Sequence, residues 1–419
     1  MRLLRVPGFA SLLAGQSVNA IGNWVAIIAI WGFAAFEFDA GAGDLALLFV
    51  ALSVPGALLG PLLGVPIDRL GPRRTLVLAN VLGALNALVL TQADSYATII
   101  VLALPLGLIE ALGAASLDSL PPRLFDDDDL VSANALLGGA DDLAIVVGPL
   151  LAAVVNAGWG LPGAFLVDAA TFLVGAAVAL RLDVAPLPQS SLVGRSAWRE
   201  VREGARLAWR TRGLRWTFAV MGATYAIWGV FGVVEPLYVR DVLGEPATAF
   251  ALLQTVFGLG LVGAGLALAA RGQGLARPRY VAIATIASGV AATVYVGTTW
   301  LPVAFLGVFL WGAGVAFFYA PAKTLLQRYT PIAAHGRILS INQSLEPLVD
   351  MAFTPLAAVA LIRGDVRLLG VGAGVLLAGI GVVALLASRR LGPLPPAPAI
   401  DPADGTTRDA IALRGPAPG

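Results

Sequence analysis

The chain has 419 residues, of which 58% are hydrophobic and only 13% charged, and its mean hydropathy is +0.84. No water-soluble core uses so much apolar sequence, so the composition excludes a soluble globular protein and predicts a membrane protein. The formal net charge is +1, there is no cysteine, and His335 is the single histidine. A disulfide framework and a cysteine-based metal site are therefore excluded.

Twelve apolar stretches follow one another along the chain. Each is long enough to form a bilayer-spanning helix, which needs roughly 20 residues. The predicted spans cover residues 12–36, 45–67, 75–93, 97–120, 131–156, 162–182, 214–239, 247–270, 280–299, 301–327, 338–362 and 366–388. The sequence therefore predicts an all-α membrane protein with twelve transmembrane helices.

The arginines between these spans predict the orientation of the chain. With the N-terminus inside, twenty-one arginines fall in inner segments and three, Arg240, Arg363 and Arg367, fall in outer ones. Under the positive-inside rule this bias predicts that both termini are cytoplasmic. The predicted location of the protein is the cell (inner or plasma) membrane. Because the arginines already serve as orientation signals, binding of nucleic acid is not predicted.

The longest connection, residues 183–213, separates six spans from six. Its mixture of arginines and apolar residues predicts an amphipathic helix at the membrane surface. Both halves carry a Ser-x-Asn helix start with an aspartate eight residues after the Asn, Asp142 in one and Asp350 in the other. We predict two pseudo-symmetric six-helix bundles (1–183 and 214–390), a cytoplasmic linker (184–213) and a disordered Pro-rich tail (391–419).

The connection between the second and third spans reads Gly-Val-Pro-Ile-Asp-Arg-Leu-Gly-Pro-Arg-Arg. In residues and position it resembles the inner-loop motif of the major facilitator superfamily. The resemblance implies that Asp68 and the arginines lock the two halves on the inner side, while the glycines permit a tight connection. An ordinary turn would not require Asp68 at this spacing. The candidate gating residues here are Gly64, Asp68, Arg69, Gly71, Arg73 and Arg74.

Several shorter motifs resemble the enterobactin-exporter and macrolide-efflux branch of that superfamily. They are Ile21-Gly-Asn-Trp24, Asp168-Ala-Ala-Thr-Phe172, Arg202-Glu-Gly-Ala-Arg206 and Pro236-Leu-Tyr-Val-Arg-Asp-Val-Leu-Gly244. The resemblance implies the major facilitator fold and a secondary transporter that works by alternating access. Gly148 and Pro149 resemble the antiporter motif, but Ala152 and Ala153 stand where a glycine pair is expected, which weakens the case for antiport.

Ionisable side chains inside the predicted spans cost a few kcal/mol each and usually serve a function. A buried carboxylate can take up a proton on one side and release it on the other. The candidates for proton coupling are Glu110, Asp141, Asp142, Glu346 and Asp350. Each of them could instead cap a neighbouring helix or bond to a polar side chain.

Asp118 and Lys323 lie at related inner ends of the fourth and tenth spans, each five residues before an arginine. Their positions predict an ion pair that forms in the outward-open state and breaks in the inward-open state. If partly exposed, the pair would shift the free-energy difference between the two states by roughly 1 kcal/mol. Side chains in the first and seventh spans are candidates for the substrate cavity, with aromatic packing as the alternative for the tryptophans. They are Asn19, Asn23, Trp24, Tyr225 and Trp228.

Together these features predict proton-coupled efflux of a small amphiphilic molecule, such as a drug, siderophore or metabolite, by a monomer in contact with membrane lipid. Uptake or lipid flipping by the same fold is one alternative, and a non-transporting scaffold or sensor is another. No catalytic residues, metal or cofactor are predicted. Ala322 stands where a phosphate-binding loop of the Gly-Lys-Thr type would need glycine before Lys323, so ATP-driven transport is not predicted. The glycines of 258–263 match a dinucleotide-binding pattern, but they lie within an apolar span and predict close helix packing instead.

Overall fold

In a computed structural model, the described residues form helices and their connections, with two two-residue strands near the C-terminus. It describes residues 3–6, 8–59, 63–125, 127–182, 197–271, 275–331, 334–362, 364–392, 399–400 and 407–408. The helices are α1 Phe9–Gly32, α2 Ala42–Leu59, α3 Gly64–Leu70, α4 Pro72–Leu90, α5 Tyr96–Asp118, α6 Pro121–Leu124, α7 Asp127–Arg181, α8 Ala197–Arg210, α9 Arg212–Leu237, α10 Ala247–Arg271, α11 Pro278–Gly297, α12 Leu301–Tyr329, α13 His335–Leu361 and α14 Val366–Ser388.

Three short elements complete the helical part. A 3₁₀ helix, Leu3–Arg5, precedes α1, and five-residue π-turns, Phe33–Glu37 and Tyr238–Val242, extend α1 and α9. The first and seventh spans thus end in the same unusual way, which agrees with the pseudo-symmetry of the two halves.

The predicted twelve-span, all-α membrane fold is confirmed. Within the described residues, ten helical segments are long and apolar enough to cross a membrane, and Ala42–Gly56 forms a shorter apolar helix. The longest segment, Leu136–Arg181, contains two spans, because Gly160 inside α7 has the non-helical angles φ 71° and ψ 178°. Counted in this way, the helices match the twelve predicted spans.

Local sequence explains where several helices begin. The side chains of Ser95 and Asp365 accept hydrogen bonds from the backbone at the starts of α5 and α14. Gly71 has φ 83°, which favours glycine, and Pro72 then starts α4. The predicted second span ran to residue 67, but residue 63 is in a turn and the motif forms the separate short helix α3. Residues 60–62, after the described part of α2, lie outside the described residues.

The spans form two six-helix bundles, the first from α1 to α7 and the second from α9 to α14. The bundles meet mainly where α7 contacts α10 and where α2 contacts α13. A Cβ on Gly258 of α10 would lie 2.9 Å from the carbonyl oxygen of Ile145, and one on Gly260 would lie 2.1 Å from that of Phe309. These glycines therefore allow close helix packing, both between the bundles and within the second one.

Buried side chains divide the molecule into two unlike ends. One end carries the π-turns and the loops 38–41 and 243–246, and it is here called the Arg240 end. There, one cluster of buried apolar side chains joins both bundles. It includes Ile30, Phe33, Phe165, Phe231, Tyr238 and Phe250. At the opposite end, here called the linker end, each bundle has its own cluster, around Phe9 and Phe125 in the first and Leu214 and Phe318 in the second. Among the described residues, buried side chains therefore join the bundles at the Arg240 end and form a separate cluster in each bundle at the linker end.

The linker and the tail are only partly described. Helix α8 lies within the predicted linker, whose residues 183–196 are outside the described part. In the tail, Ala399–Ile400 pairs antiparallel with Thr407–Arg408, and most of the neighbouring residues are not described. The domain boundaries and the disorder of the tail stay predictions.

Candidate functional site

A cavity of about 370 Å³ lies between the two bundles. Helices α1, α2 and α5 of the first bundle and α9 and α10 of the second contribute to it. Its lining residues are Trp24, Ile27, Ile28, Trp31, Phe49, Leu52, Ser53, Glu110, Gly232, Glu235, Pro236, Phe250 and Gln254. The volume suits a small molecule, since ligand sites run from about 300 to 1,000 Å³. The described lining holds two carboxylates and no basic side chain.

The two carboxylates come from different bundles, Glu110 from α5 and Glu235 from α9. Glu235 is only 9% exposed, and its Oε1 has no hydrogen-bond partner among the described residues. Gln254 and Tyr295 lie beside it, but the Tyr295 hydroxyl also makes no hydrogen bond of good geometry there. Because an unsatisfied buried oxygen is costly, Glu235 is a group that a ligand or a proton would stabilise.

The local sequence of α9 shapes this wall of the cavity. Pro236 lacks a backbone N–H, so it cannot donate to the carbonyl of Gly232 one turn earlier. Both residues line the cavity next to Glu235. The helix also continues beyond them through the π-turn to Val242, which places Glu235 well inside the span.

The indoles of Trp24 and Trp31 form an aromatic wall on α1. They are seven residues apart, so they lie on one face of the helix, two turns from each other. A Cβ on Gly148 of α7 would lie 2.3 Å from the Cβ of Trp24, so this glycine lets α7 pack directly behind the indole. Pro149 follows it and is buried. In this structure, the pair that resembles the antiporter motif therefore supports the cavity wall.

Of the five predicted substrate-cavity residues, Trp24 lines this cavity and the other four do not. Asn19 and Asn23 lie on the same helix, and each has a buried Oδ1 without a partner among the described residues. In the second bundle, Tyr225 and Trp228 pack with ring centroids 5.4 Å apart, and Trp228 packs on Phe318 at 5.7 Å.

Two of the predicted proton-coupling residues, Glu346 and Asp350, lie on α13 and face α9 within the second bundle. Asp350 Oδ1 would lie 3.0 Å from a Cβ on Gly229, and Thr354 donates to the Gly229 carbonyl oxygen at 3.1 Å. Asp350 Oδ1 is buried without a hydrogen-bond partner in the described part of the chain. These acids form a group separate from the cavity.

The acids of the first bundle are spread over several helices. The Gln16 amide donates to Asp141 Oδ1 at 3.3 Å, joining α1 to α7. Asp168 is 1% exposed and lies close enough to Glu110 for their charges to interact. The side chain of Asp142 lies outside the described residues.

The predicted gating residues lie at the linker end. Arg73 donates to the Leu182 carbonyl oxygen at 2.9 Å, a contact within the first bundle, while Arg69 and Arg74 are exposed. The side chain of Asp68 and the surroundings of Gly64 lie outside the described part of the structure.

The predicted pair at the same end consists of Asp118 and Lys323. Both side chains are described and exposed, and no ion pair joins them in this state.

Arg240 bridges the two bundles at the opposite end. From the π-turn after α9, its Nη1 donates to the carbonyl oxygens of Ala35 at 2.7 Å and Ala40 at 3.0 Å, and lies 2.9 Å from Asp39 Oδ1. Its Nε and Nη2 bond to Asp241 at 2.6 and 3.1 Å. The Arg240 side chain is 20% exposed but Asp39 is 89% exposed, so the bonds to backbone carbonyls contribute more than the exposed ion pair.

A larger groove of about 560 Å³ lies between α11 and α12, within the second bundle. Apart from Tyr280 its lining is apolar, and several lining residues, including Ile283, Val290 and Phe317, are exposed on the surface. It contains no carboxylate and does not touch the first bundle. The smaller cavity is therefore the candidate site.

Sequence analysis missed Glu235, Gln254 and Arg240. Glu235 lies only four residues before the predicted end of its span, so it was not counted among the membrane acids. Arg240 was counted only as an outer arginine. The signal that could have found Glu235 is an acid followed directly by proline in an otherwise apolar stretch.

Comparisons with known proteins agree with this architecture. The family profile described as Major Facilitator Superfamily matches residues 12–354. An uncharacterized MFS-type transporter of Sinorhizobium fredii is 29% identical over 93% of this chain and 96% of its own length. The multidrug efflux pump Tap of Mycolicibacterium fortuitum is 27% identical over 84% and 88%, and macrolide efflux protein A of Streptococcus pyogenes is 22% identical over 81% and 86%.

Solved structures show the same fold at low sequence identity. A bacterial homolog of the human lysosomal transporter Spinster superposes with a TM-score of 0.70 at 14% identity, covering 91% of this chain and 97% of that one. The nucleoside transporter NupG gives 0.69 at 12% identity, covering 91% and 98%. The helical architecture and the match along most of the sequence lead to one conclusion: the chain is a membrane transporter, not an enzyme, and belongs to the Major Facilitator Superfamily.

Proposed function

We propose that this transporter exports a small amphiphilic molecule from the cytoplasm by alternating access, driven by proton influx. The observation that carries the proposal is the cavity with two glutamates between bundles that join at the Arg240 end and separate at the linker end. A site between two halves that can rock is the arrangement that secondary transporters use. The protein works as a monomer, with the small molecule, protons and membrane lipid as its partners.

The arginine distribution assigns the two ends to sides of the cell membrane. The linker end carries the many arginines of the inner segments, so it faces the cytoplasm, and the Arg240 end faces outward. Both termini are then cytoplasmic, and the present structure corresponds to an inward-open state. In this state Asp118 and Lys323 are apart, in agreement with a pair that forms only when the inner side closes.

The proposed direction of transport is supported by the names of two related proteins. Two of the similar proteins carry the names multidrug efflux pump and macrolide efflux protein, which supports export over uptake. Lipid flipping and a non-transporting scaffold or sensor are the alternatives. The buried acids argue against the scaffold, because a protein that only binds others has little use for costly membrane carboxylates.

Proton coupling is assigned to the membrane acids. Glu110 is the first candidate because it lines the cavity, where the cargo could displace its proton. Asp350 and Glu346 on α13 and Asp141 and Asp142 on α7 are further candidates. The inner gate is formed by the residues of the motif after α2, which are Gly64, Asp68, Arg69, Gly71, Arg73 and Arg74.

Reconstituted proteoliposomes test the proposal. A pH step is imposed across the membrane, and uptake of each compound of a panel of drugs, lipids and metabolites is followed. Accumulation that requires an opposing proton gradient supports antiport, while no gradient effect with any compound supports the scaffold. Glu110→Gln should abolish the gradient effect. Asp94→Asn, which removes an exposed acid from the loop before α5, should not.

A further inference from the structure

We propose that the cavity between the bundles binds a lipophilic organic cation, with Glu110 and Glu235 as its charge partners and Trp24 and Trp31 as its aromatic wall. This inference rests on the proposed transport function and names the chemical class of the cargo. It uses Glu235, a residue that no motif in the sequence had singled out.

The charge of the cavity lining indicates that the cargo is positively charged. The described lining contains two carboxylates, one from each bundle, and neither Arg, Lys nor His. Burying carboxylates without a partner is costly, and a positive group placed between them removes that cost. Glu235 supplies a specific contact point, because its Oε1 is buried and has no partner among the described residues.

The same charges select against other cargo. A carboxylate, phosphate or catecholate could enter this low-dielectric cavity only while both glutamates kept their protons, because either ionised glutamate would repel it, so the site disfavours anions. Among the three kinds of cargo considered from sequence, an anionic siderophore is therefore the least suited to this site. A neutral molecule would leave both glutamates without a charge partner.

The walls select for an apolar body around the positive group. Ile27, Ile28, Phe49, Leu52 and Phe250 line the cavity and would cover hydrocarbon. The indoles of Trp24 and Trp31 suit an alkylated ammonium, since tryptophan is the best cation–π partner among the side chains. Because the two indoles lie on the first bundle and Glu235 on the second, one cargo molecule would contact both halves.

The cavity also limits the size of the cargo in this state. Its volume of about 370 Å³ is near the lower end of the usual range for ligand sites. A small aromatic cation is therefore the appropriate probe.

Equilibrium binding to the purified full-length chain in detergent tests the proposal. The probe is benzyltrimethylammonium, whose charge is permanent, and the comparison is neopentylbenzene, which has the same shape with carbon in place of nitrogen. Each is titrated calorimetrically at one pH and salt concentration, with protein-free micelles as the blank. The variants are Glu235→Gln, Glu110→Gln and the double variant, with Asp94→Asn as the control.

We expect the cation to bind more tightly than its neutral counterpart. Each single Glu→Gln substitution should weaken cation binding at least about tenfold, and the double variant should weaken it further. Binding of neopentylbenzene should change little in the same variants, which shows that the cavity is still formed. Equal binding of both probes to the unaltered chain, or full cation binding by the double variant, would overturn the proposal.

The outcome can be separated from the test of transport. If the chain moves neutral compounds in proteoliposomes but does not prefer the cation, the cargo assignment fails and the transport function stands. If it binds the cation through both glutamates but moves no compound under any gradient, the cargo chemistry stands and the transport function fails.

Discussion

The Arg240 end and the linker end of the molecule differ in how the two bundles meet. At the Arg240 end a shared apolar cluster and the bonds from Arg240 to Ala35 and Ala40 join the bundles. At the linker end each bundle buries its own cluster, and Arg73 bonds within its own bundle. In the proposed alternating-access cycle, the equilibrium between states would depend on contacts at both ends, and among the described residues only those at the Arg240 end join the bundles.

The largest expected effect comes from fixing the Arg240 end in its present arrangement. Phe36 and Phe250, one from each bundle, have ring centroids 6.4 Å apart. Because Phe250 also lines the cavity, the reduced variant with cysteines at both positions is the reference for transport. Relative to that reference, a short bifunctional methanethiosulfonate should join the bundles and stop transport, because the Arg240 end can no longer open. Reduction should restore transport, which is measured in proteoliposomes.

The control for this experiment joins two helices of one bundle. Phe33 and Phe165 have ring centroids 5.6 Å apart, and both lie in the first bundle. The same reagent on cysteines there should leave transport active. The chain has no cysteine of its own, so the introduced thiols are the only reactive ones. Transport that continues through a completed Phe36 to Phe250 crosslink would contradict the rocking of the bundles.

A smaller but clear effect is expected from Arg240→Gln. The substitution removes charge-assisted bonds to backbone carbonyls of the other bundle, worth about 1.5–3 kcal/mol, which corresponds to roughly a ten- to hundredfold shift away from the present state. Spin labels at Ser119 and Gln327, at the linker ends of α5 and α12, would report the shift as a change in their distance distribution.

Two matched substitutions sharpen this measurement. Arg367→Gln removes a bond to the Gly297 carbonyl within the second bundle, so it should leave the distribution unchanged. Asp39→Asn should shift it less than about fivefold, because the pair with Arg240 is exposed and worth about 0–1 kcal/mol. A shift from Asp39→Asn as large as that from Arg240→Gln would show that the ion pair, and not the backbone bonds, holds the bundles together.

The smallest effect is expected at the linker end. Asp118→Lys and Lys323→Asp should each reduce transport by roughly fivefold, the equivalent of about 1 kcal/mol for a partly exposed pair. The double charge reversal should recover most of the loss, and Lys323→Arg, which keeps the charge, should be close to the unaltered protein. Failure of the double variant to recover would rule out a direct pair.

The spans and the two bundles were predictable because they follow from short-range properties. About 20 apolar residues in a row predict a helix in the bilayer, and the arginines between spans predict which connections lie on the cytoplasmic side. The connection 183–213 is visible as the one long charged interruption. Gly71 was predicted to permit a tight connection, and its φ of 83° is a conformation that favours glycine.

The cavity was less predictable because its residues meet only in the tertiary structure. Glu110 was selected from its position within an apolar span, but its place in one cavity with Glu235 depends on how the two bundles pack. Glu235 itself was placed near the membrane surface, because the π-turn that lengthens α9 leaves no mark in hydropathy. Arg240 and Ala35 are separated by 205 residues, and no spacing rule connects them.

The paired π-turns have a geometric consequence. Each residue of an α-helix turns the chain by about 100°, so the additional residue in a wider turn rotates everything beyond it by that amount. Rewinding Phe33–Glu37 or Tyr238–Val242 as regular α-helix, with the same residues, would therefore rotate the side chains that follow and move the Arg240 guanidinium and its acceptors out of register. The joining of the bundles at the Arg240 end therefore depends on the π geometry of two short segments as well as on the identity of their side chains.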